Sequence, residues 1–134
     1  MSEPVWLDRQ AVLVLHDRSL SLHGGAAGLR DEGLFESAML RPENRFHYEG
    51  EKDLFELAAT YGVGLAKNHP FIDGNKRVAF AAVGVFLGVN EIDIEADQAE
   101  ATAVVLALAA GEISASEFAE WLRRHVIAPE GERS

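Results

Sequence analysis

Apolar positions in this chain fall mainly at helical spacing. From Leu7 to Leu22, Val12, Leu15 and either Leu20 or Leu22 share one face, which predicts a first helix. Gly24-Gly25 and Gly28 then interrupt the pattern. Asp31 is placed to cap a helix over 32–40, with Leu34, Phe35, Ala38 and Met39 inward, and Pro42 is expected to end it. The polar stretch 42–52 carries Phe46 and Tyr48 two apart, a spacing that predicts a small hairpin or flap. Asp53 caps the next segment, where Leu54, Leu57, Ala58, Tyr61 and Leu65 recur at helical spacing. Gly62 and Gly64 lie inside it, each costing about 1 kcal/mol relative to Ala, so close contact with a neighbouring helix is expected there.

The segment 74–88 has no polar face from Val78 to Leu87, the pattern of a central, buried helix. Between Asn90 and Asp97, acids alternate with Ile92, Ile94 and Ala96, which suits a short edge strand. Asp97 with Glu100, and then Ser114 with Glu117, have the spacing of capping boxes. The first opens an alanine-rich helix ending at Gly111, and the second a last helix lined by Phe118, Trp121, Leu122 and Val126. A frayed tail is expected after Pro129. The expected fold is all-α: a compact bundle around the Val78–Leu87 helix with at most a small flap or hairpin. It forms one domain over 1–134, with its core at about 7–126.

Composition narrows the chemistry. The 134 residues include 22 acids against 12 bases, a formal net charge of -10. Such a surface repels nucleic-acid backbones, so direct DNA or RNA binding is not expected, whereas a basic partner fits. With no cysteine, thiolate nucleophiles, disulfides and cysteine-ligated zinc are excluded. Residues 1–6 lack the basic and apolar regions of a signal peptide, and the apolar run 78–89 is too short to cross a bilayer, so a cytoplasmic protein without membrane contact is expected.

The chemically informative string is His69-Pro70-Phe71-Ile72-Asp73-Gly74-Asn75-Lys76-Arg77, which joins two apolar helices. The opening turn of a helix has backbone N–H groups without internal partners, and with the helix dipole these attract phosphate. Gly74 permits close backbone approach, and Asn75 adds an amide donor. Lys76 and Arg77 oppose the dipole by a few tenths of a kcal/mol each unless an anion sits there. Asp73 suits a magnesium ion shared with phosphate oxygens, and His69 can take a proton from a hydroxyl near neutral pH. Pro70 stops the preceding helix and Phe71 anchors the loop. The remaining histidines, at 16, 23, 47 and 125, follow no metal-ligand spacing.

This string resembles the signature loop of the Fic/Doc superfamily. Gly28-Leu29-Arg30-Asp31-Glu32-Gly33-Leu34-Phe35-Glu36-Ser37-Ala38, followed by Arg41-Pro42-Glu43-Asn44, is similar to the upstream part of the Doc (death-on-curing) toxins of type II toxin–antitoxin systems. The resemblance spans about 7–126. It implies six or seven helices and the use of ATP with Mg²⁺. It makes His69 the catalytic group, Asp73 the metal ligand and Gly74, Asn75, Lys76 and Arg77 the phosphate cradle. The stretch 42–52 becomes a flap that aligns the target by strand addition.

Two departures place the chain nearer the Doc branch. Nucleotidylating Fic enzymes usually have Gly where Lys76 stands and an arginine where Phe80 stands, whereas Pro70 and Gly74 are as in typical Fic loops. The Doc resemblance implies a kinase that moves the terminal phosphate of ATP to a hydroxyl of elongation factor Tu and stops translation, under control of a Phd-like antitoxin whose disordered tail folds over the toxin. The alternatives are AMP transfer by a Fic-like enzyme, or a catalytically weak module that binds an antitoxin and modulates transcription.

Overall fold

A computed structural model describes residues 3–127 as six helices, and no strand occurs among them. Helix α1 spans Arg9–His23, α2 Glu32–Glu49, α3 Leu54–Lys67, α4 Asn75–Val89, α5 Gln98–Ala109 and α6 Ala115–Arg123. Side-chain oxygens cap four of them: Asp31, Asp53, Asp97 and Ser114 accept from the first-turn N–H groups of α2, α3, α5 and α6. The reciprocal capping box forms at Ser114–Glu117. At Asp97 the half of the box formed by its own carboxylate is present, on the N–H of Glu100.

The centre is shared by two helices. Helix α3 packs against α2, α4, α5 and α6, and α4 against α1, α3 and α5. Phe35, Tyr61, Phe86 and Phe118, from four different helices, are fully buried among them. Although α4 is apolar all round, Val78, Ala79, Ala82, Val83, Phe86 and Leu87 are its buried residues of that run, while Ala81, Gly84 and Val85 keep some exposure. Gly62 and Gly64 of α3 mark close crossings, as their spacing predicts. A Cβ at Gly62 would lie 3.0 Å from Phe118, and one at Gly64 would lie 2.8 Å from the Cβ of Ala38 and 3.0 Å from its Cα.

Four local expectations are corrected. Pro42 does not end α2, which runs on to Glu49 with the proline buried inside it. The flap or hairpin expected over 42–52 is therefore mostly helix. Proline in a helix interior removes one hydrogen bond, but Arg45 compensates on the next turn. Its guanidinium bonds Thr60 Oγ1 at 2.8 Å and pairs with Glu49, Glu51 and Glu56, tying the end of α2 to α3. Gly50, left-handed at φ 72°, closes the helix onto the carbonyl of Arg45. The edge strand expected over 90–97 reduces to a single antiparallel bridge between Ile94 and Val126. Val126 accordingly lies beyond α6 rather than on it. The tail expected to fray after Pro129 lies outside the described residues.

Two stability measurements check this packing. Gly64→Ala should lower stability by about 1–2 kcal/mol, because a Cβ pressed on the backbone of Ala38 outweighs the gain in helix propensity. Gly84→Ala, where a Cβ meets nothing within 4 Å, should raise stability by about 0.5–1 kcal/mol; urea unfolding midpoints read both. A second check concerns Tyr61, whose buried hydroxyl accepts the N–H of Leu7 at 3.1 Å. Burial pushes its phenol up to about 12. A raised folded-state value means the folded form holds the proton longer than the unfolded chain. Its contribution is thus complete below pH about 10 and is lost as pH rises towards about 12. Tyr61→Phe should flatten that alkaline loss in a series of thermal melts.

Candidate active site

The segment 68–74 leaves α3 and enters α4, and every turn of it is held from behind by α1 or by the chain between α1 and α2. Asn68 ends α3, and His69 follows with a left-handed backbone, φ 49°. Such a conformation in a non-glycine residue persists where its surroundings over-determine it. Arg30 supplies that constraint, since its Nε donates to the carbonyl of His69 at 2.7 Å and its terminal nitrogen to that of Asn68 at 2.8 Å. A cation on the last carbonyls of a helix also complements the dipole of α3. The carbonyl of Pro70 accepts the N–H groups of Arg30 and Asp31 at 2.7 and 3.1 Å. Leu29 and Phe71 form an antiparallel bridge, and the N–H of Ile72 reaches the carbonyl of Gly28 at 3.0 Å.

Phe71 is fully buried, stacked on His16 at 3.8 Å between ring centroids and edge-on to Phe35 at 5.5 Å. Its backbone is clasped by Asn75, whose Oδ1 accepts the N–H of Phe71 and whose Nδ2 donates to its carbonyl, both at 2.9 Å. The amide expected to reach a ligand is thus engaged inside the protein, and Asn75 is itself buried. What Asn75 leaves free at the start of α4 is its backbone N–H.

Gly74 is the N-cap of α4, left-handed at φ 77°, and it has no side chain to cap with. The first helical bond runs from Val78 N–H to Gly74 C=O, which leaves the N–H groups of Asn75, Lys76 and Arg77 without partners among the described residues. Asp73 sits just before, exposed, with Oδ1 accepting the N–H of Gly74 at 2.8 Å and Oδ2 that of Ala26 at 3.4 Å. Lys76, in the first turn of α4, is exposed. Arg77, also exposed, donates to Ser19 Oγ at 3.2 Å and to the carbonyl of Gly24 at 3.3 Å, so it bridges α4 to the end of α1.

His69 stands at the rim, exposed, with Nδ1 3.5 Å from Asn75 Nδ2, the outer limit of a hydrogen bond. Its Nε2 has no partner among the described residues. The loop therefore gathers three free N–H groups, two cations, one carboxylate and one imidazole on a single connection. No group of three or more metal-ligating side chains occurs among the described residues. A single carboxylate beside an open helix start would suit a hard divalent ion that takes its other ligands from a bound anion, not an all-protein cage.

An uncapped helix start with two cations and an adjoining histidine is an arrangement chemically able to accept an anion. A family model described as Fic/DOC family matches residues 6–87. Over 115 residues the chain is 39% identical to the protein kinase doc of Escherichia phage P1, covering 86% of this chain and 90% of that one. Over 93 residues it is 37% identical to the toxin Doc of Mycolicibacterium smegmatis, covering 69% of each. The chain belongs to the Fic/DOC family.

Sequence reasoning did not single out the supports behind the loop. Arg30 lies within the stretch that resembles Doc toxins, but nothing marked it as the clamp on Asn68 and His69. His16 follows Val12 by one helical turn on the buried face of α1, and a polar residue on an apolar face was the available signal.

The two neighbours at the start of α4 should separate on mutation. Asn75→Ala leaves the N–H and C=O of Phe71 unmet and should lower stability by about 1–3 kcal/mol. Lys76→Ala, on the exposed turn, should stay within about 0.5 kcal/mol of the unsubstituted protein in the same denaturant titration.

Proposed function

We propose that this protein is a Doc-type toxin kinase that transfers the terminal phosphate of ATP to a hydroxyl of a protein acceptor, namely elongation factor Tu, and so arrests translation. The observation that carries the reading is the uncapped start of α4, with three free N–H groups under exposed Lys76, beside a histidine whose Nε2 is free. The relative in phage P1 bears the name protein kinase, and the second relative the name toxin, which supports the same class.

In this reading His69 takes the proton of the acceptor hydroxyl as its oxygen bonds to the terminal phosphorus. The bond from that phosphorus to the bridging oxygen breaks, and ADP leaves with the electron pair. Lys76, Arg77 and the N–H groups of residues 75–77 hold the negative charge on the phosphate oxygens. Asp73 would hold Mg²⁺ against those oxygens. Magnesium, when bound, supplies charge neutralisation across neighbouring phosphate groups. Phe71 and Asn75 keep the loop in register. A Phd-like antitoxin would control the activity, in the cytoplasm where ATP and the acceptor are found.

Transfer of AMP is the less favoured chemistry. Phe80, at the position of the second arginine in nucleotidylating relatives, packs edge-on against Trp121 at 6.2 Å between centroids. An apolar ring in the α4–α6 contact offers no charge to a phosphate.

ATP labelled on its terminal phosphate should mark purified elongation factor Tu, and ATP labelled on the first phosphate should not; the reverse result overturns the kinase assignment. His69→Ala should slow transfer by about 10²–10⁴ with little change in melting temperature. A fully active His69→Ala protein removes the histidine from the chemistry. Lys76→Gly should weaken ATP binding by about 1.5–3 kcal/mol, read by calorimetric titration.

A further inference from the structure

We infer that His16 is a positioning residue that sets the direction of the Asp73 carboxylate from behind the loop. The inference rests on the reading of Asp73 as the metal-holding group and adds the device that aims it. His16 is 2% exposed, and its Nε2 lies 2.7 Å from the backbone carbonyl of Asp73. A carbonyl oxygen only accepts, so Nε2 carries the proton and donates. The carbonyl of Asp73 and the N–H of Gly74 belong to one planar trans peptide and point in opposite directions. Drawing the carbonyl towards α1 therefore turns the Gly74 N–H outward, and that N–H holds Asp73 Oδ1 at 2.8 Å.

The other carboxylate oxygen is confined by the chain after α1. The N–H of Ala26 approaches Oδ2 to 3.4 Å, and a Cβ on Gly25 would fall 2.7 Å from the same atom. Gly25 also has φ +121°, a conformation open to glycine. One imidazole thus fixes the peptide plane, the plane fixes one oxygen, and the glycine loop leaves room for the other. The stacking of His16 on Phe71 holds the imidazole ring in place. The carboxylate is directed before any ion arrives, by a partner 57 residues earlier in the chain.

The test compares His16→Phe, which keeps a ring on Phe71 but has no donor, with His16→Gln, which keeps an N–H donor. Two quantities are read: amide exchange of Gly74 in metal-free protein, and the Mg²⁺ dependence of ATP binding by calorimetry. His16→Phe should speed Gly74 exchange and raise the half-saturating Mg²⁺ by about 10–100-fold, with His16→Gln within about threefold of the unsubstituted protein. A His16→Phe protein with unaltered Gly74 exchange and Mg²⁺ dependence overturns the inference. Should His16→Phe not fold, the ring-nitrogen NMR shifts of the unsubstituted protein take its place, and a neutral His16 ring with its proton on Nδ1 instead of Nε2 overturns the inference equally. Asp73→Ala separates this from the underlying reading. If it leaves the Mg²⁺ dependence intact, the metal assignment fails. If it abolishes the dependence while His16→Phe does not alter it, the positioning role fails and the metal assignment stands.

Discussion

Everything at the candidate site depends on the burial of one ring, that of Phe71. It sits in the core between His16 of α1 and Phe35 of α2, while Asn75 of α4 holds both polar atoms of its backbone. An aromatic ring of this size loses about 3–5 kcal/mol on truncation, far more than the hydrogen bonds of an exposed loop supply. The connection from α3 to α4 is consequently anchored in the core at its middle. That anchor, with the Arg30 clamp on the carbonyls of Asn68 and His69, lets a histidine with φ 49° and an uncapped helix start stand next to it. Each is unfavourable alone, and each adjoins a backbone hydrogen-bonded from behind.

Helix positions and the family were legible because they rest on local rules. Asp31, Asp53, Asp97 and Ser114 cap where their spacing places them, and Gly62 and Gly64 mark the crossings that their cost implies. The errors are of one kind. Proline at 42 reads as a stop, yet it lies in a helix because Arg45 and its carboxylates, from two elements, stabilise the turn beyond it. Alternation over 90–97 reads as a strand, yet it finds only one bridge partner. A local pattern cannot report a partner contributed from elsewhere in the chain.

The same limit explains the site. The residues of the loop were visible as a string, but their division of labour was not. Asn75 reads as a donor to a ligand and in fact grips Phe71. Arg77 reads as free charge and in fact spans to Ser19 and Gly24, leaving Lys76 as the cation of the pair without a partner among the described residues. In a chain of net charge -10, these two cations at an open helix start form a local exception to the surrounding field. An anion that reaches them gains from short-range contacts, and the wider surface discourages larger polyanions.

The continuation of α2 through Pro42 to Glu49 has a consequence for how an acceptor protein could be read. A segment whose backbone is already bonded along a helix has no row of open donors and acceptors, so no extended chain can be added beside it as an extra strand. Contact along 42–49 has to pass through side chains, such as Tyr48 at 84% exposure. Backbone pairing tolerates many sequences, whereas side-chain contact distinguishes them. Any selectivity carried by this face would therefore lie in a few surface residues that can change without disturbing the helix that carries them.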